Sequence, residues 1–279
     1  MTDTTLPFVK LSAGVGIGLP APAGWECLAD RPLLVIVGVT GVGKSTALQA
    51  LDEAGFSYHL LPDRRELTDR LIIPIVQAQR GEDLLPIRDR KQRFEYTRLY
   101  REQYPGGMAH ALAQLWIDPE EFDGALLFDG LRGANEVVEA AALLPLALFV
   151  VLDAPDVARV SRLMGRGDPF DQIGGESTEN AGLDQIQHFA DVGAPQAAAY
   201  FSAIEEQALL ELVRTGAVSA EALRDSLAIV VEERRNYDPT ATRSALVDAA
   251  PKRTLIVDTQ RHPPDQVADR ITRFLYQYM

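Results

Sequence analysis

Gly38-Val39-Thr40-Gly41-Val42-Gly43-Lys44-Ser45-Thr46 decides the reading of this chain. The stretch fits the phosphate-loop pattern G-x-x-x-x-G-K-[ST], and its flanks supply the context that pattern needs. Before it, Leu33-Leu34-Val35-Ile36-Val37 is an unbroken apolar run of strand length, as expected of a parallel strand buried on both faces. After it, residues 46–54 combine good helix formers with apolar positions at helical spacing, and Gly55 follows where a helix turns left-handed. Glycines let backbone amides approach an anion closely, and a helix N-terminus favours its negative charge. The expected binding positions for a nucleoside triphosphate are therefore Gly38, Thr40, Gly41, Val42, Gly43, Lys44, Ser45 and Thr46. Lys44 reaches the β- and γ-phosphates, and the Ser45 hydroxyl ligates Mg²⁺.

Composition narrows the class. With 279 residues and 47% hydrophobic content, the chain can bury a large core as one sizeable or two modest domains. A net charge of −13 argues against broad binding to nucleic acid or anionic membranes. The single cysteine, Cys27, cannot form an internal disulfide and fits a reducing cytoplasm. The N-terminus lacks the basic and apolar blocks of a signal peptide, and no apolar run reaches membrane-spanning length. The expected location is cytoplasmic.

Five strands are predicted, over 33–37, 56–61, 125–129, 146–152 and 254–258, with helical patterns between them. This βαβ alternation predicts an α/β fold with a parallel sheet covered on both faces, whose ligands bind at the carboxyl ends of the strands. Residues 1–31 read as an N-terminal extension packed on the 32–279 domain, with a short edge strand near Phe8. Two insertions interrupt the core. The first, about 64–123, reads as helices, and the second, about 167–253, as a loop followed by helices over 194–214 and 220–235.

Polar residues follow each strand. Leu126-Leu127-Phe128-Asp129 is an apolar strand ending in a carboxylate, which can hold Mg²⁺ beside Ser45. Asp63 closes the second strand, where it can accept the proton of an attacking hydroxyl or simply cap the helix that follows. Arg159, Arg162 and Arg166 share one helical face and precede the loop 167–175, so they read as arginines of a closing lid or as a solvated face. The cluster Arg88–Arg101 suits an anionic acceptor or an exposed helix laced with ion pairs. Histidine spacing and one cysteine give no zinc site.

In these motifs the chain resembles the P-loop nucleoside and nucleotide kinase family, whose members include adenylate, guanylate, shikimate and dephospho-CoA kinases. The resemblance is strongest over 33–61 and 125–166. It implies a three-layer P-loop NTPase sandwich with five parallel strands in order 2-3-1-4-5. It also implies an acceptor-binding insertion after the second strand and a lid after the fourth. Phe128-Asp129-Gly130-Leu131-Arg132-Gly133-Ala134-Asn135-Glu136 looks like the D/E-G-x-R-x-x-x-E segment of dephospho-CoA-kinase-like proteins. By that likeness Arg132 contacts the acceptor or a phosphate, Arg162 and Arg166 belong to the lid, and Asp63 matches the carboxylate after the second strand. The second insertion is much longer than a compact lid.

The expected activity is ATP- and Mg²⁺-dependent phosphoryl transfer to a small molecule: a nucleoside, a nucleotide or a cofactor precursor. The rival expectation is a nucleotide-operated switch whose helical insertion binds a protein partner. The acceptor, the choice between ATP and GTP, and the oligomeric state are not legible in the sequence.

Overall fold

The computed structural model describes residues 6–165 and 186–278, so Arg166 and the loop 167–175 lie outside the described residues. Three short strands open the chain: β1 (Val9–Ser12), β2 (Val15–Ile17) and β3 (Glu26–Cys27). Strand β4 (Leu33–Val37) leads into α1 (Lys44–Glu53), and β5 (Tyr58–Leu60) into α2 (Arg64–Leu67). A π turn over Thr68–Ile72 joins α2 to α3 (Ile73–Gln79). Next come α4 (Arg90–Gln103), α5 (Met108–Ala113) and β6 (Leu115–Ile117). The chain continues through β7 (Ala125–Leu131), α6 (Ala134–Leu143), β8 (Ala147–Asp153) and α7 (Asp156–Met164). Then follow α8 (Ala203–Arg214), α9 (Ala220–Asn236), α10 (Pro239–Ala249), β9 (Thr254–Asp258) and α11 (Pro264–Leu275).

The main sheet has five strands in the order β5-β7-β4-β8-β9, and every neighbouring pair is parallel. Alternate residues of β4 serve opposite faces, as the two-residue period of a strand requires. Leu33, Val35 and Val37 join a cluster that contains Leu112, Leu131, Val137 and Leu246. Leu34 and Ile36 join another with Ala47 and Leu51 of α1 and Val267, Ile271 and Leu275 of α11. Each of the larger of these side chains, fully buried, contributes about 1.5–3 kcal/mol. The sheet is thus covered on both sides, and its carboxyl edge carries the polar residues.

Two stretches depart from the sequence reading. The first insertion is not wholly helical: β6 pairs antiparallel with β2 and β3, and a small sheet β1-β2-β6-β3 ties the N-terminal segment to the core. Leu115-Trp116-Ile117 is too short to show a period, and its partners lie about a hundred residues earlier in the chain. In the second insertion, the helix expected from 194 starts only at Ala203, where Ser202 and Glu205 form a capping box. The preceding Pro195–Ala199 is a 3₁₀ turn. Helix α10, which the sequence reading missed, packs Leu246 into the core beside α6, and Ala250 just after the helix joins it there. Its start was legible: Asp238 caps Thr240 and Ala241, and Pro239 occupies the first turn. Helices α8 and α9 pack with Val160 and Leu163 of α7 in a third cluster.

Among the described residues, no helix is long and apolar enough to cross a membrane.

Candidate active site

The loop 38–46 joins β4 to α1 at the carboxyl edge of the sheet. Gly41 (φ +83°) and Gly43 (φ +97°) adopt left-handed conformations that side chains disfavour, and a Cβ on Gly41 would lie 3.1 Å from the Arg159 Cβ. Helix α1 begins at Lys44 with Gly43 at its N-cap and no capping side chain, so its first amides have no intrahelical acceptor. Ser45 and Thr46 are exposed on that first turn.

Lys44 and Asp129 meet beside the loop. The Lys44 ammonium donates to the Gly38 carbonyl at 3.1 Å and stands 3.8 Å from Asp129 Oδ1, too far for a hydrogen bond. That oxygen is buried with no hydrogen-bond partner among the described residues. Burial pushes the Asp129 carboxyl above its ordinary range, while Lys44 and Arg132 pull against the shift. A buried carboxylate oxygen without a donor, one hydroxyl nearby in sequence to the loop lysine, and a phosphate-type loop make a donor set that fits Mg²⁺. Among the described residues no group of three or more His, Cys, Asp or Glu side chains could hold a metal. Substrate oxygens would therefore complete the shell, as is usual for this ion.

A buried polar network grips the loop from behind. Arg159, on α7, is 1% exposed. Its Nε donates to the Thr40 carbonyl at 2.8 Å, Nη1 to Asp156 at 2.6 Å and Nη2 to Glu233 at 2.5 Å. Arg159 is therefore not part of a ligand-facing arginine row; all three of its nitrogens are committed to the protein. Glu233, on α9, also accepts from the Thr40 amide at 3.0 Å, the Thr40 hydroxyl at 2.6 Å and Arg132 Nη1 at 3.0 Å. Asp156 is further held by Arg234 at 2.6 Å.

Glu233 was missed in the sequence, where it falls without comment inside the helix expected over 220–235. A signal was present: Ser226, Val230 and Glu233 follow helical spacing along a buried face. A charged residue on that face needs a partner.

Arg162 lies on the same helix as Arg159 but nearer the loop's other side. Its Nη1 donates to Thr259 Oγ1 at 2.9 Å and to the Gly41 carbonyl at 3.2 Å, and Nη2 to the Thr259 carbonyl at 2.8 Å. Thr259 Oγ1 in turn donates to the Val42 carbonyl at 2.7 Å. Arg162, Gly43, Thr46, Thr259 and Pro263 line a cavity of about 360 Å³. The expected partner of Arg162, Arg166, lies outside the described residues.

A larger cavity, about 770 Å³, opens on the other side and brings Asp63, Asp129 and Arg132 together. Asp63 caps α2 by accepting from the Glu66 amide at 2.7 Å, yet it stays exposed on the cavity wall. Five arginines line this cavity. Arg64 is clamped by Glu136 at 2.6 and 2.7 Å, Arg93 pairs with Asp69, and Arg132 with Glu233. Arg65 and Arg101 have no carboxylate partner among the described residues, and Arg101 donates only to the Thr97 carbonyl. Arg98 follows the ion-pair reading, held by both Glu95 and Glu102. Thr68 and Ile72, at the two ends of the π turn, also face the cavity.

No family model matches this chain. No curated protein matches it either. Among solved structures it is similar to a sugar kinase from Janibacter sp. HTCC2649, with 16% identity over 88% of this chain and 95% of that one, at a TM-score of 0.35. A sulfotransferase from Alicyclobacillus acidocaldarius shares 14% identity over 88% of this chain and 81% of that one, at a TM-score of 0.38. These distant likenesses assign the chain to no family.

Proposed function

We propose that the chain transfers the γ-phosphoryl group of ATP, with Mg²⁺, to an anionic small molecule held in the 770 Å³ cavity. One observation carries the reading. A phosphate-type loop with two left-handed glycines, its lysine and a buried carboxylate converge beside a cavity that has an exposed carboxylate and two arginines with no carboxylate partner among the described residues.

In this reading the triphosphate is bound by the amides of the first turn of α1 and by loop amides other than those of Gly38 and Thr40, which Leu131 and Glu233 take, and Lys44 leaves the Gly38 carbonyl for its β- and γ-oxygens. The base occupies the 360 Å³ cavity beside Thr259. Ser45 and Asp129 would hold Mg²⁺, which would neutralise phosphate charge when bound. Asp63 accepts the proton of the attacking hydroxyl, and Arg132 stabilises negative charge spreading over the transferred group. The first insertion, about 64–123, serves acceptor binding, and Arg162, with Arg166, belongs to a lid-position element that excludes water. Catalysis rests mainly on positioning and electrostatics.

Arg65 and Arg101 define the acceptor's chemistry. Two guanidinium groups on a cavity wall, without a carboxylate partner among the described residues, favour a phosphate or carboxylate on the bound molecule. Arg65→Ala and Arg101→Ala are each expected to raise KM for the acceptor about tenfold, the effect of losing one charge-assisted contact. The KM for ATP should stay unchanged. Steady-state kinetics with each substrate varied in turn checks this. Equal rises in both KM values would remove these arginines from the acceptor site.

One observation favours a second reading, a nucleotide-operated switch: Glu233 links α9 of the long helical insertion directly to Thr40 of the loop. Asp63→Asn separates the two. Asparagine caps a helix as well as aspartate does, so α2 is preserved while the proton acceptor is removed. Transfer should fall about 100-fold with ATP binding retained if Asp63 is a general base. A switch would hydrolyse ATP at an undiminished rate.

A further inference from the structure

The phosphoryl transfer proposed above makes no use of Glu233, yet this side chain is the most heavily engaged carboxylate in the molecule's candidate site. It is 8% exposed and takes hydrogen bonds from a loop amide, a loop hydroxyl and two different guanidinium groups. Its two cationic partners are not equivalent. Arg159 spends Nε, Nη1 and Nη2 on protein acceptors and is 1% exposed. Arg132 is about one-third exposed on the cavity wall and gives Glu233 only Nη1. Its Nε is buried with no partner, and Nη2 has none among the described residues.

We infer that Glu233 is a positioning residue for phosphoryl transfer: it fixes Arg132 by Nη1, so that Nη2 of the guanidinium fork is presented to the transferring group. The inference rests on the proposed reaction. An arginine fork is planar and rigid, so holding one nitrogen sets the direction of the others. Without a second carboxylate, a long arginine chain on an open cavity wall would sample many rotamers and lose that direction. Glu233 is itself fixed by Arg159 behind and Thr40 at the side, so the aim of Arg132 is referred to the loop that holds the donor. This also gives α9 a defined role: it delivers a residue of the long insertion into the site, 193 positions from the loop residue it binds.

Glu233→Gln tests this. Glutamine keeps the length and an acceptor for Thr40 but loses the charge that holds Arg132. The expected result is a kcat lowered about tenfold or more, with KM for ATP and for the acceptor within about twofold of the natural protein. Arg132→Ala should lower kcat at least as much, and the double variant should be no slower than Arg132→Ala alone, because Glu233 acts through Arg132. A purely structural Glu233 would instead give losses that multiply in the double variant. Glu233→Asp is the second variant should glutamine not fold, since it keeps the charge that Arg159 needs. It is shorter by one methylene, and the same kcat loss without a KM change is expected. Natural kcat in Glu233→Gln, or multiplying losses, overturns the role of Glu233 while leaving the reaction standing. Failure of the natural protein to transfer phosphate to any acceptor overturns the reaction and this role with it.

Discussion

Lys44→Met is expected to lower phosphoryl transfer about 10²–10³-fold, the loss typical of a preorganised charge that meets developing negative charge. The reason lies in two contacts. The ammonium stands at the mouth of the loop, on the Gly38 carbonyl, and 3.8 Å from Asp129 Oδ1. Methionine keeps the aliphatic stem and removes the only charge, so the loop backbone has little cause to rearrange. Asp129 then loses a cation that opposes the upward push of burial, and its carboxyl shifts further toward the neutral form. Affinity for Mg²⁺ should change together with turnover, because the cation beside that carboxylate is gone. Transfer rates measured across a Mg²⁺ titration check both effects. Natural turnover in Lys44→Met would remove the loop from the chemistry.

Arg159→Leu is expected to destabilise the fold by about 3–5 kcal/mol, because removing one member of a buried ionic network leaves the others uncompensated. Glu233 and Asp156 would each lose a bond of 2.6 Å or less, and the Thr40 carbonyl would lose its donor. For a chain of this size the melting temperature should drop by roughly 10 °C or more. Arg273→Ala gives the contrast. Arg273 is 77% exposed and pairs with Asp269 one helical turn away, an arrangement worth a few tenths of a kcal/mol at most. Thermal melts of the two variants side by side check the difference. A shift for Arg159→Leu no larger than that for Arg273→Ala would show that the network does not hold the loop.

What the sequence revealed follows the range of the interactions. The five parallel strands stand close to where apolar runs and flanking turns put them, because strand burial on both faces is written locally in β4 and β8 as unbroken Leu, Val, Ile and Phe. The loop and the start of α1 are likewise local. Strand β6 and the small sheet escaped the reading because three residues carry no period and their partners are remote. The long-range polar network escaped it for a related reason. Spacing on α7 places Arg159 and Arg162 near one another, but only packing shows that Arg159 is buried against Glu233 whereas Arg162 faces Thr259. Asp63 had two readings in the sequence: the structure shows the capping contact, with one oxygen on the Glu66 amide, and places the residue on the cavity wall.

The most direct measurement incubates the purified protein with Mg²⁺ and ATP labelled in the γ-phosphoryl group, alone and with pools of small phosphorylated or carboxylated hydroxyl compounds. Products are read by mass. The account predicts transfer of the label to a compound of one pool, which becomes heavier by one phosphoryl group, and little ATP consumption without it. Slow release of labelled inorganic phosphate, indifferent to every pool, would contradict it and point to a switch that answers to a protein partner.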